Sequence, residues 1–361
     1  MSRPAVAEIK LDNIRANFQL AGSLAPNGKT IAVVKANAYG HGAAEVAEYL
    51  SGDVEVFAVA CIEEALALRA SGLRHPILLL EGFFEAAELD VISREGFWTA
   101  IHSQEQIDAL ARSSIPNPLP AWLKVDTGMH RLGFSPEQAA KAYGELSRMR
   151  QVKAVTVMTH LANADNCETQ GVTVAHQVAR LPSDLLKPEI ELSLANSAGI
   201  LAHKVARKHW QRPGIMLYGA SPLARENQFS EALLPVMTLK SSVIATRWVA
   251  PGEGVGYGGR FVAERPTKVG TVAMGYADGY PRQAVEGTPI LVNGKRTRLI
   301  GRVSMDMLTV DLTDIPEAGS GSGVELWGEN LLANEVASHC DTIAYHLFTG
   351  VTQRVPRKYV G

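Results

Sequence analysis

The chain has few cysteines, no long apolar run and no excess of charge. Cys61, Cys167 and Cys340 are its only thiols in 361 residues, and none forms a CxxC pair. Isolated thiols of this kind read as reduced residues in a reducing compartment, not as a disulfide framework. No run approaches the roughly 20 apolar residues of a membrane span. Met1-Ser2-Arg3-Pro4 leads into no apolar signal-like core. A cytoplasmic protein without a membrane partner is therefore expected. The 35 basic and 37 acidic residues leave a net charge of -2, which offers no electrostatic footprint for nucleic acid. No internal repeat is visible, and no metal is expected.

The hydrophobic content, 46%, supports a large core, and 361 residues are long for one domain. Residues 4–9 alternate like a short strand, and a helical pattern covers about 11–25. Apolar runs follow at 31–34, 55–60, 76–80, 97–101, 121–125, 154–159 and 189–194, most of them separated by helix-like segments. One such segment, Ser103 to Leu110, opens with a serine cap and Gln106 at the capping-box position. This alternation predicts a parallel sheet covered by helices. An eighth strand lies either at Gly214–Gly219 or at Lys208–Arg212, which points to a (β/α)8 barrel of the TIM type. After Ser221-Pro222 the runs become short and β-branched: Ser242–Thr246, Lys268–Met274, Ile290–Val292, Leu299–Val303, Met307–Asp311 and Val324–Trp327. Asn293-Gly294 between two of them signals a type I′ hairpin. Helical pattern there is confined to Leu332–Cys340. The expectation is a barrel over residues 11–225 and a mainly antiparallel β domain over 226–361.

The chain is organised around Ala32-Val33-Val34-Lys35-Ala36-Asn37-Ala38-Tyr39-Gly40-His41-Gly42. A buried strand ends in a lysine, at the carboxyl end where such folds keep their active sites. A buried ammonium is costly, so it is usually paired, neutral or covalently used. A strand-end lysine reaching out to solvent fits this stretch as well. Three more polar clusters end apolar runs: Lys124 to Arg131, His160, and Arg212-Pro213-Gly214-Ile215. Taken alone, Lys124 fits a surface pair with Asp126, His160 a core histidine, and Tyr39 a packed ring with a wet tip. Tyr257, in Gly254-Val255-Gly256-Tyr257-Gly258-Gly259-Arg260, fits an aromatic plug in a glycine-rich turn.

Together and in this order, these segments resemble those of the bacterial alanine racemases, over roughly residues 4–359. The resemblance implies that Lys35 carries pyridoxal 5'-phosphate (PLP) as an imine. Tyr39, His160, Ser197, Arg212, Gly214, Ile215 and Tyr345 would complete the cofactor site. Arg131 would meet the cofactor's phenolic oxygen and the substrate carboxylate, fixed by a carbamylated Lys124. The amide of Met305 would bind that carboxylate from the other subunit. Tyr276, Arg282, Arg302 and Asp165 would line the approach. The resemblance further implies interconversion of L- and D-alanine by two bases, Lys35 on one face of the α-carbon and Tyr257 on the other. Tyr257 would come from the partner in a homodimer with shared sites, and residues 1–10 would join the β domain. D-Alanine could serve as a peptidoglycan precursor or be catabolised; the residues do not distinguish these.

Two features bear on that chemistry. A guanidinium stays protonated, so Arg212 can donate to a pyridine nitrogen but scarcely protonates it. The ring is then a weaker electron sink, and prompt return of a proton to the α-carbon is favoured. A free tyrosine loses its proton near pH 10, so a phenol acting as base needs cations close by. A PLP-dependent amino-acid decarboxylase of the same fold is the first alternative. It would normally pair the pyridine nitrogen with an acid and place a cysteine near the second-domain site. A non-catalytic PLP carrier is a further alternative, though it needs neither the β domain nor Tyr257; a sugar-acting barrel without PLP is another, and the absorbance of a lysine imine would separate it.

Overall fold

The computed structural model describes residues 3–166, 168 and 171–361. Cys167 and the first two residues lie outside the described set. Cys61 and Cys340 are free thiols. Strand β1 (Val6–Lys10) runs into a helix over Leu11–Ser23. Eight parallel strands follow: β2 (Lys29–Val33), β3 (Val56–Val59), β4 (Ile77–Leu79), β5 (Trp98–Ile101), β6 (Leu119–Lys124), β7 (Val152–Met158), β8 (Leu192–Ser193) and β9 (Trp210–Gln211). They lie in sequence order, and β9 returns to pair with β2. A parallel bridge between Asn196 and Arg212 joins the remaining gap, which closes the ring. The eighth strand is therefore the earlier of the two sequence candidates. Ile215–Tyr218 is a 3-10 turn.

The barrel is plugged at one end. Trp98 and Trp210 each begin a strand, and the two strands lie on opposite sides of the ring. Trp98, Trp122 and Trp210 nonetheless contact one another, with ring centroids 5.6–6.1 Å apart. Three tryptophans thus fill the amino-terminal floor, and open space is left at the carboxyl ends of the strands.

The second body is an eight-stranded sheet, antiparallel except at one edge. Its longest strand, β10 (Met237–Val249), pairs with β1, Gly323–Trp327 and Thr267–Val272. The final strand, Arg357–Val360, runs parallel to β1. Pro289–Val292 and Lys295–Ile300 form the hairpin signalled by Asn293-Gly294, with φ of 50° and 75° at the two turn residues. A separate small hairpin, Gly254–Val255 with Phe261–Val262, carries Tyr257 in its turn. One element goes beyond the sequence expectation: Ala344–Gly350 is a helix. Its seven residues include Thr349 and Gly350, so its propensity is weak and its buried Ala344, Leu347 and Phe348 hold it in place.

Asn17 ties the two bodies together. Fully buried, it donates to the carbonyls of Leu217 (3.1 Å) and Leu234 (2.9 Å) and accepts from the Leu234 amide (2.9 Å). Asn17→Ala leaves those groups buried and unpaired, and is expected to cost about 2–3 kcal/mol. Urea or thermal unfolding checks this; a cost under about 0.5 kcal/mol would mean that water reaches them.

Candidate active site

Strand β2 delivers Lys35 to the open end of the barrel, and the chain then does something rare. Ala36, Asn37, Ala38 and Tyr39 all adopt left-handed backbone, with φ between 51° and 54°. For residues with a Cβ, this costs roughly 1–2 kcal/mol each, so the turn must be held from outside. The Glu64 carboxylate accepts from the Ala36 amide (2.7 Å) with one oxygen and from the Ala60 amide (2.8 Å) with the other. Asn37 Oδ1 accepts from the Ala43 amide, which opens the next helix, at 2.8 Å. His41 Nδ1 lies 3.0 Å from the carbonyls of both Ala38 and Tyr39. Burial pushes the His41 pKa down to about 3, so the neutral ring donates through Nδ1–H. Arg357, from the last strand, donates to the Gly40 carbonyl at 3.1 Å. The turn brings Lys35 and Tyr39 to the wall of one cavity of about 850 Å³.

Opposite Tyr39 lies a ring of small donors. Asn196 caps the short helix Ser197–Ala202. Ser197 Oγ accepts from the amide of Gly214 at 2.8 Å. A Cβ on Gly214 would run into the Tyr39 hydroxyl, so only glycine lets this backbone face that phenol. Ile215 opens the 3-10 turn, and the first amides of such a turn lack an internal partner. Tyr39 packs between Tyr218 (4.8 Å between centroids) and Tyr345 (6.0 Å). Burial pushes Tyr39 up to about 12 and raises Tyr345 as well.

The far wall is cationic. Lys124 ends β6, and Arg131 sits on the loop that follows. Asp126 shapes this loop, its Oδ1 accepting from the amides of Gly128, Met129 and His130. Arg212, fully desolvated, donates to the Ser193 carbonyl (2.8 Å) and Oγ (2.5 Å) and to the Thr159 carbonyl (2.7 Å). Burial brings it down to about 10, so it stays charged at neutral pH. Two of its five N–H groups remain for an occupant of the cavity. Burial, then Arg212, Arg131 and Lys35, lower the Lys124 amine to about 8. Burial first, and the Arg212 charge second, drive His160 well below its usual pKa, so its ring is neutral. Among the described residues that line the cavity, Glu81 is the one acid.

Lys35, Tyr39, Lys124, Arg131, His160, Ser197, Arg212, Gly214, Ile215 and Tyr345 therefore share one cavity. Tyr257, Tyr276, Arg282, Arg302, Met305 and Asp165 do not line it. Asp165 is exposed, and its charge is a minor contributor, after burial and Tyr39, to the raised pKa of Tyr345. The others gather on the β domain. The Gly256 backbone passes close to Arg302, Tyr276 N–H donates to Ser304 O (3.0 Å), and Arg282 lies over the Tyr276 ring. Tyr257 is 69% exposed and Met305 53%. Glu64, Glu81 and His41 were not singled out from the sequence. Glu64 read only as one of two acids in a helix, and nothing in 36–39 except Asn37 signals left-handed backbone.

The family model described as alanine racemase, N-terminal domain, matches residues 9–222, and that for the C-terminal domain matches 236–359. An alanine racemase of Chromohalobacter salexigens is 53% identical over 99% of this chain and 98% of its own length. The crystal structure of the biosynthetic alanine racemase from Pseudomonas aeruginosa superposes with a TM-score of 0.95 at 47% identity, covering 99% of this chain and all of that one. Alanine racemase from Bartonella henselae, whose structure has covalently bound pyridoxal phosphate, superposes at 0.86 with 30% identity over 99% of both chains.

Glu64→Gln offers one acceptor oxygen to two amides. It should lose about 1–3 kcal/mol of stability and speed hydrogen exchange at the amides of Ala36 and Ala60 alone. Unchanged exchange at both would show that the turn does not depend on Glu64.

Proposed function

The chain belongs to the alanine racemase family, and on that footing we propose that it interconverts L- and D-alanine with PLP at Lys35, in a site shared by two copies of the chain. The observation that carries this reading is a cavity in which Lys124, Arg131 and Arg212 surround the Lys35 amine, with one acid, Glu81, among the described residues of its lining. Such a lining suits an anionic occupant with a phosphate and a carbonyl.

The residues fit the cofactor. Ser197, Tyr39 and the amides at Gly214 and Ile215 would hold the phosphate. The free N–H groups of Arg212 would face the ring nitrogen, and His160, neutral, would lie beside the ring. Lys35 Nζ would bond the aldehyde carbon. When bound, PLP draws electrons from the α-carbon of an amino acid joined to it, which makes the α-proton labile. Lys35 Nζ, released from the aldehyde carbon when the substrate amine takes its place, would then accept or return that proton on one face. The opposite face needs a second group, and the buried phenols of Tyr39 and Tyr345 hold their protons more tightly than free tyrosine. Tyr257 of a second copy supplies it, with the amide of Met305 and the guanidinium of Arg131 holding the substrate carboxylate. Tyr276 and Tyr345 would limit the side chain to about a methyl group. Arg282, Arg302 and Asp165 would set the charge at the approach. No helix among the described residues is long and apolar enough to cross a membrane, and the isolated thiols suit the cytoplasm.

Incubating the purified protein with L-alanine and PLP should give D-alanine on a chiral column, approaching equal amounts. Tyr257→Phe should slow α-deuterium exchange from one enantiomer far more than from the other. Absence of D-alanine from the PLP-loaded protein would overturn the reading, and equal slowing of both enantiomers would remove the two-base scheme.

We further propose that Lys124 is carbamylated. With its amine lowered to about 8, a useful fraction is neutral at physiological pH. A neutral amine adds to CO2, forming an N–C bond and releasing one proton. The resulting anion would sit among Arg131, Arg212 and Lys35. The neutral fraction grows as pH rises through about 8, so carbamate should increase over the same range. Labelled bicarbonate should give a carbamate carbon signal by NMR that Lys124→Arg lacks; the same signal in that variant would place the carbamate elsewhere.

A further inference from the structure

Asp278 is completely buried in the β domain, outside the cavity just described. Its carboxylate takes a forked pair from Arg3, with Nη1 at 2.6 Å and Nη2 at 2.7 Å. It also accepts from the Gly275 amide at 2.8 Å, and Arg354 Nε lies 3.5 Å away. Both arginines reach on to Asp306. Arg3 Nη2 donates to its carbonyl (2.9 Å), and Arg354 Nη2 to its carboxylate (2.7 Å). Asp278 thus closes the turn 275–278, and the arginines join it to a second turn, 304–306. Backbone bonds join the same turns: Tyr276 N–H to Ser304 O and Ala277 N–H to Met305 O, both 3.0 Å. At Gly275 the turns approach so closely that a Cβ would meet the carbonyls of Ser304 and Met305. The two turns carry Tyr276 and Met305, both of them exposed.

A plain structural ion pair that pins the N-terminus is the simpler explanation. Two facts weigh against leaving it there. Replacing a buried ion pair with packed apolar residues is often neutral or stabilising, so stability alone is a weak reason for this one. A bidentate fork also fixes direction as well as distance, and here the same arginine spans both turns.

We propose that Asp278 is a positioning residue acting in trans: with Arg3 and Arg354 it locks the Tyr276 and Met305 turns into one rigid unit, and so sets how one chain's β domain grips the substrate carboxylate in the other chain's barrel. This rests on the shared-site reading above. A competing route exists within the same chain. Thr352 N–H donates to Asp278 O (3.1 Å) and Thr352 Oγ1 to Ala277 O (2.9 Å). Thr352 lies two residues beyond the helix Ala344–Gly350, which brings Tyr345 into the chain's own cavity. Asp278 could therefore act on its own site instead.

A mixed dimer separates the two routes. Asp278→Asn should raise KM for both enantiomers about tenfold with a much smaller change in kcat, the pattern of lost uniform binding. The melting point, dimer mass and cofactor colour should be retained. In a tagged mixed dimer of Asp278→Asn with Lys35→Ala, the one competent site combines Lys35 of the first chain with the unaltered turns of the second. Its KM should return to the value of the unaltered protein, with half the sites working. A KM that stays raised in that dimer assigns the effect to the chain's own site and overturns the proposal, as does an unchanged KM for Asp278→Asn. The control dimer pairs Lys35→Ala with Tyr257→Phe. If it is silent, the shared-site reading fails and takes this proposal with it; if it is active, only the proposal is at stake. Should Asp278→Asn fail to fold, Arg3→Lys serves in its place, since an ammonium keeps the charge but cannot make the fork and reach Asp306 at once.

Discussion

Like charges held together at the mouth of a barrel are the constraint behind this site. Lys35, Lys124, Arg131 and Arg212 share one cavity in which Glu81 is the one carboxylate among the described residues. Burial, and after it the neighbouring charges, push the Lys124 amine down to about 8 and keep the His160 ring neutral. Arg212 cannot relieve the crowding. Its guanidinium is bound by two carbonyls and a hydroxyl, none of which carries a charge to offset its own. An anion in the cavity would relieve the repulsion, so the lining favours an anionic occupant before one arrives.

The fold makes this crowding possible. Tryptophans block the amino-terminal floor, so polar side chains at strand ends can only converge on the opposite rim. Closure through Asn196 and Arg212 fixes the last strand, and with it the guanidinium. The left-handed turn after Lys35 plays the same part at β2. A strained turn persists only where its surroundings over-determine it. Here those surroundings include Glu64 from the helix that follows β3, His41 from just past the turn and Arg357 from the β domain. The second body of the molecule thus reaches the first at Gly40, in the turn that follows Lys35.

Most of the barrel was legible because buried parallel strands leave continuous apolar runs, and β2 to β8 each fall on or within a residue or two of such a run. Length decided what was harder to see. Two residues at Trp210–Gln211 make a strand only by closing a ring, which no local pattern encodes. Ala344–Gly350 is helical because three of its residues are buried, again a tertiary effect. In the site, lysine, arginine and histidine at strand ends stood out because charge is conspicuous beside apolar sequence. Glu64 did not, since an acid in the first turn of a helix is ordinary; its bonds run to amides on two other segments. The left-handed run was invisible for the same reason. Alanine and tyrosine have no preference for that backbone, and two of the partners that hold it, Glu64 and Arg357, lie 28 and more than 300 residues away.

The division of the proposed machinery between barrel and β domain follows from what burial does to a phenol. A cavity closed enough to hold a cofactor rigidly also desolvates its own tyrosines. Burial pushes Tyr39 up to about 12 and raises Tyr345 too, so each keeps its proton at neutral pH, offers almost no phenolate to act as a base, and is suited to packing and hydrogen bonding. A phenol meant to exchange a proton is better carried on another surface and brought in at assembly. Tyr257 is in that position, 69% exposed on a small hairpin beside Arg302. The glycines around it leave the hairpin backbone bare, so a second surface can approach closely. On this reading the rigid half and the reactive half of one site are best made by different chains, because the packing that secures the first would disable the second.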